Sequence, residues 1–132
     1  MSAAGATVPA FTKTVPAPAD VTLMSPACAL FNCGTLSRSA PLAVSWDGGA
    51  PIQLELSSTA GAQSVLIHCE LASSPATIAA AAMGRLGATD AGFSNSLSAT
   101  TSTGGTISAG EYTVEVKAMG LAQGAGQFTT SD

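Results

Sequence analysis

Leu42-Ala43-Val44-Ser45-Trp46, then Asp47-Gly48-Gly49, then Ile52-Gln53-Leu54-Glu55-Leu56 is the stretch on which the fold turns. A side-chain period of two puts Leu42, Val44 and Trp46 on one face with Ala43 and Ser45 behind them, and repeats the pattern for Ile52, Leu54 and Leu56 against Gln53 and Glu55. This is the signature of half-buried strands joined by a turn. Two further runs share it. Val65, Ile67, Cys69 and Leu71 alternate with Leu66, His68 and Glu70, and Tyr112, Val114, Val116 and Ala118 alternate with Glu111, Thr113, Glu115 and Lys117. Ala60-Gly61 and Ala109-Gly110 supply turn residues before the second pair.

Working outward, weaker strands are expected at Val21 to Met24, Phe93 to Ala99, Thr106 to Ser108 and Gly126 to Thr130, making seven or eight in all. Ser94 to Gly105 is rich enough in Ser, Thr and Gly to read as a loop. One segment departs from the strand pattern: Ser74-Pro75, Ala76 to Leu86 and Gly87 offer a cap, a first-turn proline and a terminal glycine, which predicts a short crossover helix. Residues 1–20, punctuated by Pro9, Pro16 and Pro18, read as an extended Pro/Ala-rich arm, and 21–132 as a β-sandwich domain. The nominated core is Leu42, Val44, Trp46, Ile52, Leu54, Val65, Ile67, Cys69, Tyr112, Val114 and Val116, with Trp46 and Tyr112 as its markers.

At 132 residues the chain is one domain's length and long enough to bury a sizeable core. Only 9% of its residues are charged and the net charge is -4, with Lys13, Arg38, Arg85 and Lys117 widely spaced, so no phosphate-binding patch can form and nucleic acid is excluded as a partner. No apolar run approaches the length of a membrane span. Met1-Ser2-Ala3-Ala4-Gly5 lacks the basic and apolar regions of a secretory signal, and with so few Lys and Glu the chain is expected to be the mature part of an extracellular or cell-surface protein.

Chemistry finds little to work with. The set Cys28, Cys33 and Cys69 is odd, so one intrachain disulfide at most can form. Cys28 with Cys33 would close Ala29 to Asn32, whereas Cys69 with either would close a longer loop; both remain open. His68-Cys69-Glu70 has the H-x-E spacing of zinc deaminases but no P-C-x-x-C follows, and strand alternation sends His68 and Cys69 to opposite faces. His68 is the sole histidine, no G-x-S-x-G or S-x-x-K occurs, and Asp20, Asp47, Glu55, Glu70, Asp90, Glu111 and Glu115 are scattered. No D-x-D-x-D loop marks a calcium site, though Asp47 and Asp90 lie in turns. The expectation is a protein with no catalytic residues, no cofactor and no metal. Trp46, in phase with Leu42 and Val44, is expected in the core and not on a sugar-stacking surface.

Ser108-Ala109-Gly110-Glu111-Tyr112-Thr113-Val114-Glu115-Val116 resembles the G-x-Y-x-V-x-V penultimate strand of bacterial immunoglobulin-like and fibronectin-type-III-like domains, and Pro41 to Gly49 resembles the L-x-V-x-W-x-G-G strand of such modules in secreted proteins of myxobacteria and related soil bacteria. The resemblance covers roughly residues 20 to 120. It implies an all-β, two-sheet antiparallel immunoglobulin-like sandwich with Tyr112 packed in the core. Cysteine placement departs from the antibody pattern, since none lies two residues after Tyr112. The function it implies is a non-catalytic structural, adhesion or protein-interaction module, with a protein partner or self-association. Two alternatives stand beside it. One is a fibre or coat subunit adding the arm to a neighbour's sheet, which the size of the assembly would reveal; the other is a small carbohydrate-binding module, which needs an exposed aromatic platform.

Overall fold

All four alternating runs become strands. A computed structural model of the chain describes residues 2–3 and 9–132, with side chains from residue 9 onward. In chain order the strands are β1 (Ser2–Ala3), β2 (Phe11–Thr12), β3 (Leu23–Ser25), β4 (Asn32–Ser37), β5 (Leu42–Trp46), β6 (Ile52–Ala60), β7 (Gln63–Leu71), β8 (Ala76–Ile78), β9 (Ser94–Ala109), β10 (Tyr112–Leu121) and β11 (Gly126–Ser131). The protein is all-β. Six strands form the larger sheet in the order β4-β11-β9-β6-β7 with β10 also on β9; a smaller sheet runs β3-β5-β8, and β1 pairs with β2.

The larger sheet is mixed where an antiparallel one was expected: β11 runs antiparallel to β9 but parallel to β4. Thr35 and Thr129 join hydroxyls across that parallel pair at 2.7 Å. The hairpins β6–β7 and β9–β10 are closed by Gly61-Ala62 and Gly110-Glu111, with the glycine of each at positive φ (56° and 65°) in the first turn position. That backbone matches strand twist and favours a residue without Cβ.

The core lies between the sheets. Ile52, Leu54 and Leu56 of β6, Leu97 and Ala99 of β9, Phe128 of β11 and Leu36 of β4 form one buried cluster with Leu23, Val44, Trp46 and Ile78 of the smaller sheet. Met83 and Leu86 complete it. Trp46 is anchored twice: its indole N–H donates to the Ala50 carbonyl at 2.7 Å, and its backbone N–H donates to Ser74 Oγ at 2.9 Å.

Three expectations are corrected. Ser74 to Leu86 is not one helix; Ala76–Ile78 is strand β8, paired with β5, and only Ala80–Met83 is helical, here α1. β-branched Thr77 and Ile78 favour a strand, β5 has an edge to satisfy, and Ser74 Oγ serves Trp46 instead of capping a helix. Ser94 to Gly105 is not a loop but most of β9, because β6 and β11 flank its first half and β10 its second. Tyr112 is not a core residue, being 49% exposed. Its face is the inward one, but it pairs with Ala109 at the tip of the β9–β10 ribbon, away from the smaller sheet. Leu42, Val65, Ile67, Cys69 and Val114 are half-buried, whereas Val44, Trp46, Ile52, Leu54 and Val116 are buried.

Past Thr100, β9 leaves β6 behind and continues with β10 alone as a two-stranded ribbon, Thr100↔Leu121 to Ala109↔Tyr112. Residues 9–20 of the arm run along the ribbon's inward face. Thr103 Oγ1 donates to the Pro16 carbonyl, Thr101 Oγ1 donates to that of Ala19 at 3.0 Å, and Pro9 and Pro18 lie beside Gly110 and Gly120. The remaining arm positions, residues 1 and 4–8, lie outside the described residues.

Candidate functional site

Of the residues singled out by chemistry, His68 pairs with Glu55: Nδ1 and Oε1 are 3.2 Å apart, with both side chains nearly half exposed. Cys69 points to the other face, half-buried against the core, and burial pushes its thiol pKa up, which keeps it protonated and unreactive. The carboxylates stay apart. Asp47 accepts the Thr22 N–H at 2.7 Å, and Glu115 lies 3.1 Å from Lys117. Among the described residues no three His, Cys, Asp or Glu gather as a metal would need.

The cysteines do something more specific. Cys28 and Cys33 form a disulfide, leaving Cys69 free. Between them Ala29 and Asn32 exchange both backbone hydrogen bonds at 2.9 Å, closing a two-residue turn of Leu30 and Phe31. Both turn residues have positive φ, 49° and 64°. Two positive φ values in succession define the hairpin turn that Asn-Gly fills best. Left-handed backbone costs a side chain such as Leu or Phe roughly 1–2 kcal/mol per residue.

Leu30 is 97% exposed and Phe31 81% exposed, so burial recovers none of that cost. The turn is nonetheless firmly seated. The Phe31 carbonyl accepts the Gln127 N–H at 2.7 Å, Asn32 Oδ1 accepts the Gly34 N–H at 2.8 Å, and a Cβ on Gly126 would stand 2.4 Å from the Phe31 oxygen, so glycine is needed for this approach. Beside the turn lies an open groove of about 710 Å³ reaching across Ser96, Leu97, Gln127 and Phe128. The arrangement is a rigid apolar projection with a groove at its foot.

By the loop-closure estimate the short Cys28–Cys33 ring is worth about 2 kcal/mol, comparable with the strain it encloses. Intact mass without reductant is expected to show two thiols consumed, with the third, Cys69, alkylated readily only after unfolding. Modification of Cys28 in the folded, unreduced protein would contradict this pairing.

Sequence reasoning found the cysteines but not the turn between them. Leu-Phe carries none of the Asn or Gly chemistry that marks such turns, so only the flanking cysteine spacing could have indicated it. Trp46, by contrast, lies where its phase predicts, 5% exposed and unable to serve as a platform. No family model, no curated protein and no solved structure matches the chain.

Proposed function

We propose that the chain is a non-catalytic, immunoglobulin-like interaction module of a secreted or cell-surface protein of bacterial type, and that it grips a protein partner through the Leu30–Phe31 turn. One observation carries the reading: two large apolar side chains stand exposed on a left-handed backbone held by a disulfide. Strain and exposure together oppose stability, and such outliers concentrate where function requires them. The disulfide supports an oxidising compartment. Few ionisable groups and an all-β scaffold accord with a binding role.

The test is a double substitution, Leu30→Asn with Phe31→Gly, which installs the residues this turn prefers. Stability should rise by about 1–3 kcal/mol as strain is relieved. A photo-crosslinking residue at position 31 should capture one protein in the source cells, whereas the same residue at Thr113 on β10 should not. A variant no more stable than the parent, or crosslinks equal at the two positions, would defeat the reading. A second reading, assembly by exchange of the arm, is favoured by how residues 9–20 are held: two side-chain hydrogen bonds and proline contacts on their own ribbon. An exchanged arm would give polymers in sedimentation.

A further inference from the structure

The groove at the foot of the Leu30–Phe31 turn is floored by the outer face of the larger sheet, where Ser96, Ser98, Gln127 and Thr129 alternate with the buried Leu97 and Phe128. β11 lies between β4 and β9, and β9 between β11 and β6, so the backbone groups beneath the groove are largely taken up in ladders. A peptide strand laid on this floor would find few main-chain partners. What the floor offers a ligand is side-chain hydroxyls and amides.

These groups form a row. The register sets Ser57 beside Ser96, Ser96 beside Gln127 and Gln127 beside Asn32, one polar side chain from each of four neighbouring strands, roughly 14 Å end to end at the usual strand spacing. Ser57 and Ser96 join hydroxyls at 2.7 Å, as Thr35 and Thr129 do, so in each pair one hydrogen is spent internally and the other can be donated outward. Among the described residues the Gln127 amide and the Ser98 hydroxyl have no hydrogen-bond partner, and Asn32 commits only Oδ1, to the Gly34 N–H. At the end of the row stands Phe31, 81% exposed.

We infer that the groove takes a neutral oligosaccharide, presented as a glycan chain by the partner that the turn grips. The inference rests on the reading of that turn as a contact surface and names what the contact recognises. A sugar ring matches both halves of the site: its hydroxyls donate and accept, as Ser, Thr, Asn and Gln side chains require, and its C–H face lies against the negative face of an aromatic ring. Charge selects among sugars. Among the described residues no Lys, Arg or His lines the groove, and Glu55, set beside Ser98 by the register, is engaged with His68. With a net charge of -4 on the molecule, uronic or sulfated chains would be repelled.

An array of neutral oligosaccharides built from glucose, galactose, mannose, xylose or N-acetylglucosamine, printed beside uronic and sulfated ones, should bind the full chain on neutral spots alone. Phe31→Leu, which keeps an exposed apolar side chain but removes the ring, should weaken binding about tenfold, and Gln127→Ala by a similar factor, while Phe31→Trp should preserve it. Thr113→Ala, on the β9–β10 ribbon, is the unaffected control. All three positions are exposed, so the fold is not at stake, and Trp46 fluorescence verifies it. No neutral oligosaccharide bound, acidic ones bound equally well, or affinity unchanged in either Phe31→Leu or Gln127→Ala would each overturn the inference. So would a protein still captured by the crosslinker at position 31 after its glycans are removed enzymatically, an outcome that leaves the turn's grip on a protein standing. Equal crosslinking at positions 31 and 113 would instead defeat that grip and leave the array to judge the glycan.

Discussion

Leu54→Ala is expected to lower the free energy of unfolding by about 3–4 kcal/mol, the largest effect of any single truncation proposed for this chain. Leu54 is fully buried in the middle of β6, paired with Cys69 on one side and Ala99 on the other. With ladders on both sides, β6 cannot shift to fill the void, and an alanine opposite offers no larger side chain to lean in. Removing the isobutyl group therefore loses its transfer energy and leaves most of the cavity behind. For a domain of this size the thermal midpoint should drop on the order of 10–15 °C. Val114→Ala is the control: half-buried on the ribbon, it should cost about 1 kcal/mol. Equal shifts in denaturant midpoint for the two variants would mean that the core does not lie where the structure puts it.

Asn95→Ala is the second, expected to cost about 2–3 kcal/mol through the buried Ser58 hydroxyl left without an acceptor and the cavity left by the amide. Asn95 is 3% exposed and Ser58 fully buried. Ser58 Oγ donates to Asn95 Oδ1 at 2.5 Å and accepts the Gly87 N–H at 2.8 Å, and Asn95 Nδ2 donates to Thr89 Oγ1 at 3.2 Å. Thr89 and Thr130 then exchange bonds, each N–H donating to the other's hydroxyl at 2.9 and 2.8 Å. The network ties the segment around Gly87 to β6, β9 and β11, and among the described residues no buried side-chain polar atom lacks a partner. Alanine at 95 would leave the hydroxyl hydrogen of the fully buried Ser58 without its acceptor, while Ser58 Oγ still accepts the Gly87 N–H and Thr89 Oγ1 still accepts the Thr130 N–H. Faster amide exchange at Gly87 should accompany the loss. A cost below about 0.5 kcal/mol would show that the network contributes no more than a surface hydrogen bond.

These two residues also mark what a sequence can and cannot reveal. Leu54 was legible because period-two alternation reports directly which face a strand buries, and the same logic located Val44, Trp46, Ile52 and Val116. Asn95 was not: in a Ser/Thr/Asn-rich stretch a buried amide looks identical to a loop residue, and its partner Ser58 lies 37 positions away. The helix expected over Ser74 to Leu86 failed because capping signals are local, whereas β5's demand for a neighbour is tertiary. Tyr112 had the right phase, yet phase says nothing about whether a second sheet stands opposite. The Leu30–Phe31 turn was illegible for another reason: it breaks the local rule of turn composition, and such breaks are expected at functional positions.

The parallel pairing of β4 with β11 bears on how quickly the chain can reach its native state. Thr35 and Thr129 are 94 residues apart in sequence, and the strand between β4 and β9 belongs to the far end of the chain. Local hairpins such as β6–β7 can close within microseconds, but that slot stays empty until a very long loop has been drawn shut. Refolding should accordingly be slow for a protein of this length, in the millisecond-to-second range typical of non-local topologies. Until β11 arrives, β9 and β4 expose strand edges to one another's neighbours, and the nascent molecule is then most vulnerable to pairing with the wrong chain.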